Sequence, residues 1–166
     1  MQIFYGEVFK ALNKAKVKYV VAGGVAVIMH GYLRLTGDLD LIVLLERNNL
    51  EKFYEALGKA NYLPNRPVSK EDFSDSKERN RWKKEKGMIV FSFVHRHPPF
   101  EMIDMFVDEP IPFKELYKEK KIARAQGINI PLISIDHLLK LKSKAKRPKD
   151  LDDIVQLKAI KRIQKG

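Results

Sequence analysis

Apolar and polar positions change period several times along the chain, and each change marks an element. Phe4, Val8, Leu12 and Ala15 recur at helical spacing, so residues 2–16 are expected to form an amphipathic helix. Val17 to Ala22 is a short β-prone run and reads as a strand. Gly23-Gly24 ends it, Val25 to His30 starts a helix, and Gly31 stops that helix. Leu39 to Leu45 is a second apolar strand, and Asn49 to Asn61 returns to helical period with Leu50, Phe53, Tyr54 and Leu57 on one face. Met88 to His95 and Phe100 to Val107 read as two strands joined through His97-Pro98-Pro99. Pro112 to Glu119 forms a short helix, and Ile122 to Ile133 is extended, broken by Gly127. Ser134 caps a helix running to about Lys144; Pro148 opens another, with Leu151, Ile154, Val155 and Leu157 expected to face inward.

The pattern describes a mixed α/β domain over residues 1–166, with a core at about 1–133 and a helical C-terminal cap at about 134–166. Residues 64–87 stand apart: two prolines open a mostly charged stretch, where Ser69 and Asp72 suggest a helix start. A short helix or a mobile flap is expected there.

Composition narrows the chemistry. The chain has 166 residues and no cysteine, which excludes disulfides, thiolate metal sites and a thiol nucleophile. Its histidines, at positions 30, 95, 97 and 137, show no zinc-site spacing. No apolar stretch is long enough for a membrane span and no leader pattern opens the chain, so a cytoplasmic protein is expected. A formal net charge of +11 favours a polyanionic partner over a neutral one.

The candidate chemistry lies in Gly23-Gly24 and in Arg34-Leu35-Thr36-Gly37-Asp38-Leu39-Asp40. A strand alternates faces, so Asp38 and Asp40 point to the same side. At a separation of ~4 Å and an effective dielectric of ~20, their repulsion costs ~4 kcal/mol. A shared proton or cation relieves it, and Mg²⁺ prefers oxygen ligands, so Asp-x-Asp on a strand suits a metal. A Gly-Gly turn before a helix lets backbone N–H groups approach a phosphate. Phosphoryl transfer needs both halves, because its catalysis is mostly positioning and charge neutralisation. Either half alone is commonly structural; their succession, with 13 residues between Gly24 and Asp38, is specific.

This succession resembles the signature of the polymerase-beta-like nucleotidyltransferase superfamily. VAGGVAVIMHGYLRLTGDLDLIV further resembles the AbiEii-like group, which includes toxins of toxin–antitoxin systems. LLKLKSKAKRPKDLDDIVQL resembles that group's C-terminal helical motif, with Lys142, Arg147, Asp150 and Asp153 at matching places. The resemblance implies a polymerase-beta-like core with a small mixed sheet flanked by helices. It implies a third metal carboxylate on a later strand, for which Asp104 is the best candidate, ahead of Glu101 and Asp108. Asp38, Asp40 and Asp104 would then hold two Mg²⁺ ions against a nucleoside triphosphate such as ATP.

The resemblance also gives phosphate-binding roles to Gly23, Gly24, Arg34, Thr36 and Lys142. Two roles stay open for Arg34: a phosphate ligand, or a salt bridge pinning the aspartates. Arg147 and Asp150 are expected to lock the C-terminal helices together. Trp82, among basic residues, either stacks on a base or belongs to the core. The acceptor follows from the resemblance and the charge together: RNA, in particular a tRNA 3′ end, ranks first. A protein hydroxyl, as on an antitoxin (AMPylation-type transfer), ranks second. Polycationic aminoglycosides rank last, because a basic enzyme repels them. An inactive RNA- or partner-binding module is the alternative from another class.

Overall fold

The computed structural model describes residues 4–166. The expected first helix begins at residues outside that range; its described part is α1, Gly6–Lys14. Val8, Phe9 and Leu12 face inward, whereas Phe4, placed on the buried stripe by its spacing, is exposed. Tyr5 lies just before the helix with a left-handed backbone, so the chain turns there and carries Phe4 off the stripe.

Seven strands form one mixed sheet: β1 (Tyr19–Ala22), β2 (Asp38–Val43), β3 (Tyr62–Pro64), β4 (Val90–His95), β5 (Met102–Phe106), β6 (Lys121–Ala125) and β7 (Ile128–Leu132). Their spatial order is β3-β4-β5-β2-β1-β7-β6. Most neighbours are antiparallel; β2 runs parallel to β5, and β1 parallel to β7. The mixed sheet agrees with the expected α/β class. Strand β3 was not legible, because three residues carry too little pattern to stand out between a helix and a proline-rich stretch.

Helices complete the layers: α2 (Gly23–Met29), α3 (Arg47–Lys59), α4 (Lys70–Ser74), α5 (Ser76–Lys86), α6 (Phe113–Glu119), α7 (Ile135–Ala145) and α8 (Pro148–Lys165). Strand β5 and residues 90–94 of β4 alternate in burial. Phe91, Phe93, Ile103 and Met105 are buried, while Val90, Ser92, Met102, Asp104 and Phe106 on the opposite face are half-buried. Each buried side chain of this size contributes ~1.5–3 kcal/mol of transfer free energy. The aromatic members interlock, with Phe73 of α4 edge-on to Phe93 at 5.5 Å.

The charged stretch 64–87 is therefore not a flap. Ser69 accepts from Asp72 N and starts α4, and Asp75 accepts from Lys77 N and starts α5. Trp82 is buried and packs 5.3 Å from Phe91, which removes it as a stacking platform for a base. Arg79 is buried as well and donates to Phe73 O at 3.1 Å.

The expected cap forms as α7 and α8, and Leu157 is buried as expected, but the rest of the inward stripe of α8 differs. Leu151 and Val155, expected inside, are 57% and 63% exposed, and Ile154 is half-buried. The inward positions are Asp150, Asp153 and Leu157, a helical stripe that is two-thirds acidic. Among the described residues, no helix is long and apolar enough to cross a membrane.

Candidate active site

One row of residues crosses four adjacent strands. Ala22 pairs with Asp40, Asp40 with Asp104, and Asp104 with Ser92. Neighbouring strands lie ~4.8 Å apart, so Asp40 and Asp104 are side by side on one face of the sheet. Asp38, two residues before Asp40, shares that face at the exposed end of β2. All three expected aspartates line one cleft of about 530 Å³. Glu101 is drawn elsewhere, accepting from the Tyr62 hydroxyl at 2.6 Å, and Asp108 pairs with Lys83.

The carboxylates perturb one another. Burial, then the charges of Asp104 and Asp38, push the Asp40 carboxyl up to about 6. Asp104 is also raised, chiefly by burial; the Ser92 hydroxyl, donating to Asp104 Oδ1 at 2.6 Å, works against that rise. A group of half-buried acids with a raised affinity for protons has the donor chemistry of a hard divalent cation site. The oxygen donor set thus suits Mg²⁺. No three acidic, histidine or cysteine side chains among the described residues are arranged closely enough to hold an ion, so three-fold coordination requires side-chain adjustment.

The glycines are dictated by this packing. Gly23 and Gly24 do not form a turn between strand and helix, as expected; they are the first two residues of α2. Gly23 has φ +61, and a Cβ there would stand 2.0 Å from Asp40 Oδ2. A Cβ on Gly24 would stand 2.6 Å from Thr36 Oγ1 and 2.8 Å from Arg34 Nη2. Both glycines therefore let the strand–helix junction press against the carboxylate on one side and the Arg34–Thr36 loop on the other. The Tyr5 hydroxyl fixes the next part of that loop, lying 2.7 Å from Gly37 O and 3.0 Å from Met102 O.

Cations form the opposite wall. Arg34 and Lys142 line the cleft but are already paired within the protein. Arg34 Nη2 donates to Asp153 Oδ2 at 3.0 Å, with Nε 2.8 Å from Oδ1; its partner is thus the C-terminal helix, not Asp38 or Asp40. The Lys142 ammonium is buried between Asp150 at 3.0 Å and Asp153 at 2.9 Å. Arg147 Nε donates to Asp150 Oδ2 at 2.8 Å. Burial opposes ionisation of Asp150, but the hydrogen bonds from Arg147 and Lys142 outweigh it and hold the carboxyl down at about 2. These contacts tie α7 to α8 and α8 to the loop before Asp38. Lys149, which the sequence pattern did not single out, is exposed at the cleft and has no acidic partner among the described residues. Its position directly after Pro148, at the start of α8, is the signal that points it there.

No protein-family profile and no curated protein matches the sequence. Solved structures do match in fold. The lincomycin-bound lincosamide antibiotic adenylyltransferase LnuA is 17% identical, with 96% of this chain and 99% of that one covered and a TM-score of 0.59. ANT(2″)-Ia, in complex with adenylyl-2″-tobramycin, is 12% identical over 91% of this chain and 83% of its own, with a TM-score of 0.57. An antigenic nucleotidyltransferase-like protein from Paracoccidioides brasiliensis is 17% identical over 90% and 71%, with a TM-score of 0.56. The architecture is therefore that of nucleotidyltransferase-like proteins, with the expected core and C-terminal helices.

Proposed function

We propose that the chain is a nucleotidyltransferase that moves a nucleoside monophosphate from a nucleoside triphosphate to an acceptor hydroxyl, and that the acceptor is the 3′ end of an RNA, in particular a tRNA. The observation that carries this reading is the row Asp40–Asp104, with Asp38 beside it, facing a cleft whose other wall is cationic. Mg²⁺ held by Asp38, Asp40 and Asp104 would neutralise the triphosphate and make the attacking hydroxyl more acidic. The chain's own residues do the rest. Gly23 and Gly24 leave room for phosphate at the start of α2, and Thr36 orients the loop beside them. Lys149 and the exposed side of Arg147 supply positive charge to the pyrophosphate, while Arg34 and Lys142 contribute field from positions fixed by Asp153 and Asp150. The acceptor oxygen attacks the α-phosphorus, a new P–O bond forms, the α–β bridging bond breaks, and pyrophosphate leaves. Asp104, beside Asp40 on the face that lines the cleft, would take the hydroxyl proton.

RNA is preferred because of the charge: +11 overall, with Lys144, Lys146, Arg147 and Lys149 exposed in one run beside the cleft. Such a surface binds phosphates and repels polycations. A toxin role with an antitoxin partner follows from the AbiEii-like sequence motif, and transfer to a protein hydroxyl is the reading that ranks next. The neighbours that act on antibiotics make a small-molecule hydroxyl a third arm of the test.

The experiment incubates the protein with Mg²⁺ and each α-labelled nucleoside triphosphate, against total tRNA, cell protein extract, and lincosamide or aminoglycoside antibiotics. Label is expected in tRNA and absent with the Asp38→Ala/Asp40→Ala variant. Labelling that survives in the double variant would overturn the mechanism, and label confined to protein or antibiotic would overturn the acceptor.

A further inference from the structure

The carboxylates do not sit at the end of the polar cleft; a second cavity of about 610 Å³ opens on their other side. The two share Gly23, Asp40, Asp104, Lys142 and Arg147, so they are continuous across the reacting centre. Their chemistry differs. The second cavity is walled by Ile89, Val90, Phe106 and Pro110 on the sheet side and by Leu138 and Leu141 on α7. Val90 and Phe106 come to it through the alternation of residues 90–94 of β4 and of β5. On the Asp104 face a cavity separates Val90 and Phe106 from Leu138 and Leu141 of α7, and the two strand residues stay half-buried. Ile89, at the rim, is 69% exposed.

We propose that this apolar groove binds the unpaired terminal base of the acceptor RNA, with Phe106 as the surface against which that base lies. The proposal rests on the nucleotidyl-transfer reading above and adds where the acceptor's last nucleotide goes. Three observations carry it. First, Phe106 follows Asp104 by two residues and shares its face, so a base on Phe106 is one side-chain position from the carboxylate. Second, the polar cleft holds the cations and glycines suited to a triphosphate, which leaves the apolar side for a planar, weakly polar group. Third, beyond the residues shared with the cleft, the charged lining of the groove is Lys144 and Asp150. Asp150 is fully buried against Lys142 and Arg147, so Lys144 is the charge offered to solvent. An apolar pocket with a cation at its mouth matches a base with its phosphate, because bases stack sequence-tolerantly on apolar and aromatic faces while the backbone tracks positive charge. It does not match a polycationic acceptor.

The test uses the full chain, a short single-stranded RNA ending in 4-thiouridine, and no nucleoside triphosphate. Irradiation is expected to crosslink the terminal base to peptides containing residues 89–90, 106–110 or 138–141. A crosslink mapping elsewhere, or none, overturns the proposal. In a parallel assay of transfer, Ile89→Asp changes an exposed side chain and leaves the fold intact, while Phe106→Ala removes the platform. Each is expected to raise KM for RNA about tenfold with KM for the nucleoside triphosphate unchanged. A rise in KM for the triphosphate instead would mean that the groove holds the donor's base, and unchanged constants would mean that it holds neither; both overturn the proposal. The two readings fail separately. Transfer to RNA with a crosslink outside the groove sinks only the groove assignment. A crosslink inside the groove with no transfer to RNA sinks only the proposed activity.

Discussion

At the scale of single residues, Asp40 carries a conflict between stability and the proposed chemistry. Its carboxyl, ordinarily near 3.8, is pushed up to about 6. The folded state therefore holds the proton more tightly than the unfolded chain does. The stability this gives is present below pH ~4 and is lost as pH rises to ~6, so above that the ionised side chain is carried at a cost of about 3 kcal/mol. Asp40→Asn keeps the shape and removes the charge. In metal-free buffer at pH 7 it is expected to be more stable than the parent by ~2–3 kcal/mol, a gain that disappears near pH 4. Nucleotidyl transfer should fall by ~10²–10⁴-fold, the range that several kcal/mol of metal-assisted charge stabilisation represents. Urea denaturation at both pH values, with and without Mg²⁺, checks the first part; Mg²⁺ should stabilise the parent and leave the variant unmoved. At this scale the sequence was informative where chemistry forced a choice. Alternation along β2 makes Asp38 and Asp40 neighbours whatever the rest of the chain does. The resemblance called for a third carboxylate on a later strand, and apolar flanks singled out Asp104 ahead of Glu101 and Asp108; in the sheet Asp104 pairs in register with Asp40. Lys142 and Arg34 were legible as cleft residues, yet their partners were not, since nothing in local sequence says that Asp153 lies beside a loop 119 residues away.

The elements themselves were legible wherever one face is apolar. Strands β4 and β5 and helix α3 follow their hydrophobic period, and Ser134 caps α7 as its side-chain chemistry predicts. Helix α8 defeated the same logic. Its inward stripe is built from Asp150 and Asp153, which find their counter-charges in Lys142 and Arg34, so hydrophobic spacing pointed to Leu151 and Val155 on the wrong side. In residues 64–87 the helix start at Ser69 and Asp72 was legible, and of the two outcomes expected there, helix or flap, the helix forms. Burial of Phe73 and Trp82, scattered among charged positions, anchors two short helices in place of one. The buried ion cluster also makes α8 the acid-sensitive element. Asp150 is held at about 2, below its ordinary 3.8, so its contribution is present above pH ~4 and lost as pH falls toward 2. Asp150→Asn is expected to cost ~3–5 kcal/mol at pH 7, because it leaves Lys142 and Arg147 short of a buried partner. The gap to the parent should shrink steadily between pH 4 and 2. Unfolding curves of both proteins across that range measure it, and a constant gap would show that the pairing does not set the stability of the cap.

Over the whole molecule, the proposed RNA acceptor would be recognised by charge and shape together. The net charge of +11 was plain from composition, and so was its concentration at 140–149; the fold adds that Arg147 and Lys149 line the cleft that holds the three aspartates, that Lys144 lines the adjoining cavity, and that Lys146 is exposed between them. An RNA held there by its phosphates releases counterions as it binds. Four such contacts on a single strand give a slope of about −3 in log K against log salt, or a loss of ~50-fold in affinity between ~50 and ~200 mM. Lys144→Ala with Lys149→Ala removes two of the four and should flatten that slope by ~1.4, lowering affinity at low salt and narrowing the difference at high salt. The aspartates sit on the sheet, whereas Lys144 is exposed in the last turn of α7 and Lys149 in the first turn of α8, so folding and metal response should be unaffected in this variant. Binding isotherms for tRNA over the salt range decide the matter. A slope near zero in the parent would mean that the basic surface serves solubility alone, and an unchanged slope in the variant would move the phosphate path away from the cap and off the cleft.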